Sequence, residues 1–203
     1  MQPVVHILIL AAGASSRMRG TDKLLQKVEG KPILRRVAEA ALATGAPVAV
    51  TLPVGSEARR ATLSGLAVTT IEVADASLGM SRSLVRGVSS IMADNPGPED
   101  GIMILPADMP GFTPEALMGL LARFAAEPQR IWRGGTQDGQ AGHPTIFPRD
   151  LWPTLAHITG DEGGRRVVQA NRDRVAVLPL PDEMATLDLD TPEEWAAYLG
   201  RPG

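Results

Sequence analysis

A run of apolar, largely β-branched residues, Val4-Val5-His6-Ile7-Leu8-Ile9-Leu10, breaks off into Ala11-Ala12-Gly13-Ala14-Ser15-Ser16 and then into three cations, Arg17, Arg19 and Lys23. A run of this kind and length is a buried strand. The small residues after it let a ligand approach the backbone closely, and Gly13 allows a φ that other residues resist. Backbone N–H groups exposed in such a turn form a nest for an anion, which the cations reinforce. The segment therefore reads as a phosphate-binding loop at the carboxyl end of a first strand. It is not a Walker A loop, because no Gly-Lys-Ser/Thr follows, and it has no G-x-G-x-x-G fingerprint.

Charge is concentrated in the same region. Residues 13–36 hold seven Lys/Arg against Asp22 and Glu29, a local net of +5 in a chain whose formal net charge is −3, which leaves about −8 elsewhere. That acidic balance argues against duplex nucleic acid as a partner. Aromatic residues at 3% leave few stacking platforms for single strands. The chain has no cysteine, which removes disulfides, zinc–thiolate sites and cysteine nucleophiles and fits a cytoplasmic location. Val4 to Ala14 lacks the basic leader of a signal peptide, and no apolar segment approaches membrane-spanning length, so no membrane association is expected.

Strand and helix signals alternate along the 203 residues, the pattern of a mostly parallel sheet covered by helices on both faces. Helices are expected at 32–44, closed by Gly45, and at 56–63, 80–92 and 161–171. Strands are expected at 47–52, 67–73, 102–105 and 175–178. Thr113-Pro114 reads as the N-cap and first residue of another helix, and Thr191-Pro192-Glu193-Glu194 as the capping box of a terminal one. Ile131–Arg133 and Thr145–Phe147 flank a glycine-rich loop from Gly134 to Pro144. No linker divides the chain, so residues 1–203 are read as one domain.

The opening segment resembles the L-A-[AG]-G-x-S-x-R-M-G-x-x-K signature of the MobA-like nucleotidyltransferases. Leu10, Ala11, Ala12, Gly13, Ser15, Arg17, Met18 and Lys23 all match, and Arg19 stands where the family usually has glycine. Four further segments carry the resemblance. Pro106-Ala107-Asp108-Met109-Pro110 follows a buried strand and is similar to the family's A-D-M-P motif, whose Asp binds Mg²⁺. Leu187-Asp188-Leu189-Asp190-Thr191-Pro192-Glu193-Glu194 is similar to its D-[IL]-[DN]-T-P-E-[DE] ending. Gly79-Met80-Ser81-Arg82-Ser83-Leu84, with Asp75 upstream, resembles a base- or ribose-contacting segment. Gly142-His143-Pro144 and Gly160-Asp161-Glu162-Gly163-Gly164-Arg165 resemble segments placed near the second substrate. Asp188 and Asp190, two positions apart, point to one side of an extended chain; either suits a second metal ligand, with Asp190 favoured. Mg²⁺ suits such a site because it takes few carboxylates and completes its shell with phosphate and water.

The resemblance is strongest to the molybdenum cofactor cytidylyltransferase branch. It implies a three-layer, Rossmann-like α/β domain that transfers CMP from CTP to a phosphorylated acceptor, molybdopterin–Mo, and releases diphosphate. Arg17, Lys23 and Asp108 would be the catalytic group, and a molybdenum hydroxylase would receive the product. Relatives that use CTP tend to read Leu-Ala-Ala-Gly, as this chain does, and those that use GTP Leu-Ala-Gly-Gly. Two alternatives stay open: a nucleotidyltransferase with GTP or another phosphorylated acceptor, and a non-catalytic carrier of the molybdopterin cofactor.

Overall fold

A computed structural model describes residues 2–13, 21–160 and 163–199. Its elements in chain order are β1 (Val5–Leu10), β2 (Lys27–Val28), β3 (Lys31–Pro32), α1 (Ile33–Leu42), β4 (Val48–Pro53), α2 (Glu57–Thr62), β5 (Thr69–Val73), α3 (Met80–Ala93), β6 (Gly101–Pro106), α4 (Pro114–Ala126), β7 (Ile131–Gly135), β8 (Ala141–Pro148), α5 (Trp152–Leu155), α6 (Arg165–Ala170), β9 (Val175–Pro179) and α7 (Pro192–Leu199). Seven strands form one sheet in the order β5-β4-β1-β6-β8-β7-β9, and β2 and β3 form a small separate hairpin. All neighbours in the large sheet run parallel except β8, which is antiparallel to both β6 and β7.

The apolar runs explain the layering. β1 and β6 are buried on both faces, so their side chains alternate between two cores. Ile7, Ile9, Met103 and Leu105 pack with Ile33, Leu34 and Val37 of α1, Leu117, Leu120 and Phe124 of α4, and Trp195 of α7. Leu8, Ile102 and Ile104 face the opposite core, with Leu84, Val88 and Ile91 of α3, Trp152 and Leu155 of α5, and Val167 of α6. Helices on both faces of a mostly parallel sheet give the three layers expected. Gly87 sets the approach of α3, since a Cβ there would meet Leu8 Cδ2 at 2.5 Å.

The local signals for element ends hold. Thr113 Oγ1 accepts from Ala116 N–H at 3.3 Å. The capping box forms in full: Glu194 Oε2 accepts from the N–H groups of Asp190 and Thr191, each at 2.9 Å, and Thr191 Oγ1 accepts from Glu194 N–H at 3.2 Å. The segment expected to be a loop from Gly134 to Pro144 is a hairpin instead. Gly134 and Gly135 belong to β7 and Ala141–Pro144 to β8, leaving only residues 136–140 outside the strands. Residues 67 and 68 precede β5, and the helix expected at 161–171 is the shorter α6.

Candidate functional site

β4 and β5 lie on one side of β1 and β6 on the other, so the connections leaving β1 and β6 diverge at their carboxyl ends. This is the switch point at which open α/β sheets bind ligands. A cleft of about 930 Å³ opens there, lined by Leu10, Gly13 and Lys23, by Asp108, Asp188 and Asp190, by Ser83, by Arg133, Gly142 and His143, and by Arg165.

Lys23 is the pivot of the cleft. Asp22 caps the short 3₁₀ turn Lys23–Leu25, its Oδ1 accepting from Leu24 N–H at 3.0 Å, and this turn fixes where Lys23 leaves the backbone. Lys23 Nζ then donates to Asp108 Oδ2 and to Asp190 Oδ1, both at 2.5 Å. Burial lowers the Lys23 pKa, but the two carboxylates outweigh it and hold the ammonium above the ordinary lysine range. The chain between the acids is pinned by the backbone: Leu189, fully buried, donates its N–H to Asp108 O at 3.2 Å. Asp188 and Asp190 flank it on the cleft side, as their alternation implies, though the segment is not a strand. Burial, and then the neighbouring Asp190, hold the Asp188 carboxyl above the usual carboxylate range. Among the described residues no group of three or more His, Cys, Asp or Glu is placed to hold a metal ion.

The remaining expected site residues divide. Leu10, Gly13, Ser83, Gly142, His143 and Arg165 line the cleft with Lys23, Asp108 and Asp190. Ala11, Ala12 and Ser81 are buried and are not among its lining residues, and neither is Pro144 of β8. Asp75 is also absent from the lining and pairs with Arg82 at 3.3 Å. Ser15, Arg17 and Asp161 lie outside the described residues. Gly13 does not use the positive φ open to glycine, and a Cβ there would meet nothing within 4 Å. Its lack of a side chain keeps the cleft open rather than relieving the backbone. The basic block is also less available than its composition implies. Lys31 and Arg35 both pair with Glu39 at 2.9 Å and Arg36 pairs with Glu29 at 2.5 Å, so two carboxylates engage these three cations and offset two of their charges.

Two arginines escape a reading of the sequence. Arg59 of α2 is 5% exposed; its Nη1 donates to Ala11 O at 2.6 Å, and its Nε and Nη2 reach Asp22 Oδ2 and Oδ1 at 2.7 and 3.0 Å. One guanidinium thus ties together the two ends of the anion-binding loop. Arg59→Ala is expected to cost about 2–3 kcal/mol of stability, below the usual loss for a one-sided break of a buried pair because Asp22 keeps 27% side-chain exposure. Urea denaturation measures it, and an unchanged midpoint would show the clamp to be ornamental. Arg133 of β7 lines the far end of the cleft; burial lowers its pKa below the ordinary arginine value.

His143 lines the cleft within the electrostatic reach of both Arg133 and Asp108. Burial, and then the charge of Arg133, lower its pKa against the opposing pull of Asp108, so the ring is neutral at pH 7. A histidine with a depressed folded-state pKa stabilises the fold fully above its unfolded value near 6.5, and that contribution fades as pH falls towards the folded value. The native chain is therefore expected to lose more stability than His143→Asn between pH 7.5 and 5.5. Equal losses in urea unfolding at the two pH values would contradict a buried neutral ring.

The model of the MobA-like NTP transferase domain matches residues 7–175, a stretch that includes the β1 loop, Asp108 and the β7–β8 hairpin. The chain belongs to that family. The nicotine blue oxidoreductase of Paenarthrobacter nicotinovorans is 27% identical over 97% of both chains. The purine catabolism protein PucB of Bacillus subtilis is 34% identical over 122 residues, 60% of this chain and 56% of that protein. Among solved structures, Rv0371c from Mycobacterium tuberculosis superposes with a TM-score of 0.82 at 25% identity, covering 99% of this chain and all of that one. The same protein has been solved in complex with manganese, with a TM-score of 0.77 at 24% identity over 98% of this chain and all of that one. Family and fold together make this chain a nucleotidyltransferase with a Rossmann-like α/β fold. Among the described residues no helix is long and apolar enough to cross a membrane.

Proposed function

We propose that the chain transfers CMP from CTP to a phosphorylated acceptor, with molybdopterin–Mo as the acceptor that the sequence resemblance favours, and that residues 1–203 act as one domain. The observation that carries this reading is the convergence of Asp108 and Asp190 on the Lys23 ammonium at the switch point of the sheet. Two carboxylates that already share one cation fit Mg²⁺, which prefers hard oxygen donors and needs few from the protein. Asp108 and Asp190 would hold it. When bound, it supplies neutralisation of the phosphate oxygens around the reacting phosphorus.

The chain's own residues do the positioning. The Arg59 clamp joins Ala11 to Asp22, the residues on either side of the phosphate-binding segment. Lys23, released from the carboxylates, has the reach and charge to follow the departing diphosphate, with Arg17 as its companion in the loop. The acceptor's phosphate oxygen attacks the α-phosphorus, a new P–O bond forms, and the bond to the β-phosphate oxygen breaks with its electron pair leaving on diphosphate. A phosphate monoester dianion carries no proton on the attacking oxygen, so no general base is required, and His143, neutral and buried, is not asked to be one. Charge neutralisation and alignment account for catalysis of this kind.

Ala12 is buried outside the cleft lining, and CTP preference rests on the Leu-Ala-Ala-Gly resemblance. Calorimetric titration with CTP and GTP in Mg²⁺ tests it. Tighter binding of CTP supports the donor assignment, and tighter binding of GTP removes it.

A further inference from the structure

We propose that Arg133 anchors the phosphate of the acceptor, in a phosphate-monoester subsite at the β7–β8 end of the cleft; this deepens the nucleotidyltransferase reading and rests on it. Arg133 is held from one side only. Its Nε donates to Thr145 Oγ1 at 3.3 Å and its Nη2 to Gly142 O at 2.9 Å, both on the neighbouring strand β8. Those bonds fix the plane of the guanidinium, while Nη1 makes no hydrogen bond among the described residues. Arg35, Arg36, Arg59, Arg60, Arg130 and Arg174 each pair with a carboxylate, whereas Arg133 has no acidic partner among the described residues. A half-buried guanidinium that is oriented, lines a cleft and lacks a counter-ion is a site for an anionic ligand.

The local backbone is shaped around this arginine. A Cβ on Gly134 would lie 2.2 Å from His143 O, and one on Gly135 would lie 2.9 Å from Gln140 O and 2.3 Å from Val177 Cγ1. These two glycines let β7 and β8 approach closely enough for the Arg133 head to reach Gly142 O. A Cβ on Gly142 would lie 2.0 Å from Ala185 O, so the acceptor carbonyl is fixed from behind as well.

The sheet order tells which anion belongs here. β7 lies three strands from β1 through β6 and β8, or about 14 Å at the usual strand spacing. A triphosphate seated on the β1 loop leaves Arg133 on the opposite side of Asp108. The group that must approach the α-phosphorus from that side is the acceptor, and its attacking group is the anion that needs a cation there. A guanidinium fork matches two phosphate oxygens at once, so the subsite selects acceptors that end in a phosphate monoester over those that offer a hydroxyl.

The test uses the full chain with Mg²⁺ and a non-hydrolysable CTP analogue already bound, and titrates phenyl phosphate, inorganic phosphate and benzoate by calorimetry. Phenyl phosphate is expected to bind the native protein and to bind about tenfold or more weakly in both Arg133→Ala and Arg133→Lys, with the analogue's own affinity unchanged. Arg133→Lys keeps the stem and charge, so its loss separates lost two-oxygen recognition from misfolding. Phenyl phosphate affinity unchanged in Arg133→Ala, or benzoate bound as tightly as phenyl phosphate, would overturn the proposal. Failure of the CTP analogue to bind would count against the donor assignment alone, and the same titration run with a GTP analogue would still decide the role of Arg133.

Discussion

Asp108→Asn is expected to lower turnover by about 10²–10³-fold while leaving the fold intact, the usual loss when one well-placed electrostatic contact is removed from a transfer reaction. The fold survives because the contact that Asp108 makes with the core is through its backbone, where its carbonyl accepts from Leu189 N–H. Asparagine keeps that carbonyl and the side-chain size and removes only the negative charge that faces Lys23. Steady-state rates at saturating Mg²⁺, beside thermal unfolding of the same preparation, measure both halves. Near-native turnover would reduce Asp108 to a turn residue.

Lys23→Ala carries a second large effect, with two readouts that move in opposite directions. Turnover is expected to fall on the order of 10²-fold, because the diphosphate loses the cation that follows it. Affinity for Mn²⁺ in the absence of nucleotide is expected to rise by roughly tenfold, since Asp108 and Asp190 no longer share an ammonium and their full charge is open to another cation. Lys27→Ala is the control: Lys27 lies exposed on β2, outside the cleft lining, and neither quantity should change. Paramagnetic titration of Mn²⁺ separates the cases. A Lys23→Ala protein that binds Mn²⁺ no better than the native one would mean that the two carboxylates are held for packing alone.

The parts of this molecule that were legible in its sequence are those made by neighbours in the chain. The β1 run, the N-cap at Thr113, the capping box at Thr191–Glu194 and the partly buried acid Asp108 after a buried strand are all written within a few residues. Their chemistry is complete at that range. Arg59 was not legible because its partners, Ala11 and Asp22, are 48 and 37 residues away, and nothing in α2 announces that its third residue turns inward. Arg133, whose partners lie only 12 and 9 residues away, was hidden by the glycines after it. Glycine reads as loop, yet Gly134 and Gly135 sit in a strand because the adjacent backbone leaves no room for a Cβ. The local charge excess misled for a third reason, since composition cannot show that Lys31, Arg35 and Arg36 are engaged by Glu39 and Glu29. The alternation of Asp188 and Asp190 correctly put both on one side. Only the position of Lys23 tells them apart, bonding Asp190 and leaving Asp188 beside it with a raised pKa.

One measurement bears most directly on the proposed chemistry: the fate of the α-phosphate of CTP. The full chain is incubated with Mg²⁺, CTP labelled at the α-phosphorus, and purified molybdopterin–Mo, and both the acceptor and diphosphate are quantified. Transfer of CMP requires the label to appear in the acceptor, one diphosphate to be released per label transferred, and both to depend on Mg²⁺ and on Asp108. Label entering the acceptor only from GTP would contradict the donor assignment, and diphosphate released without label in the acceptor would contradict transfer itself.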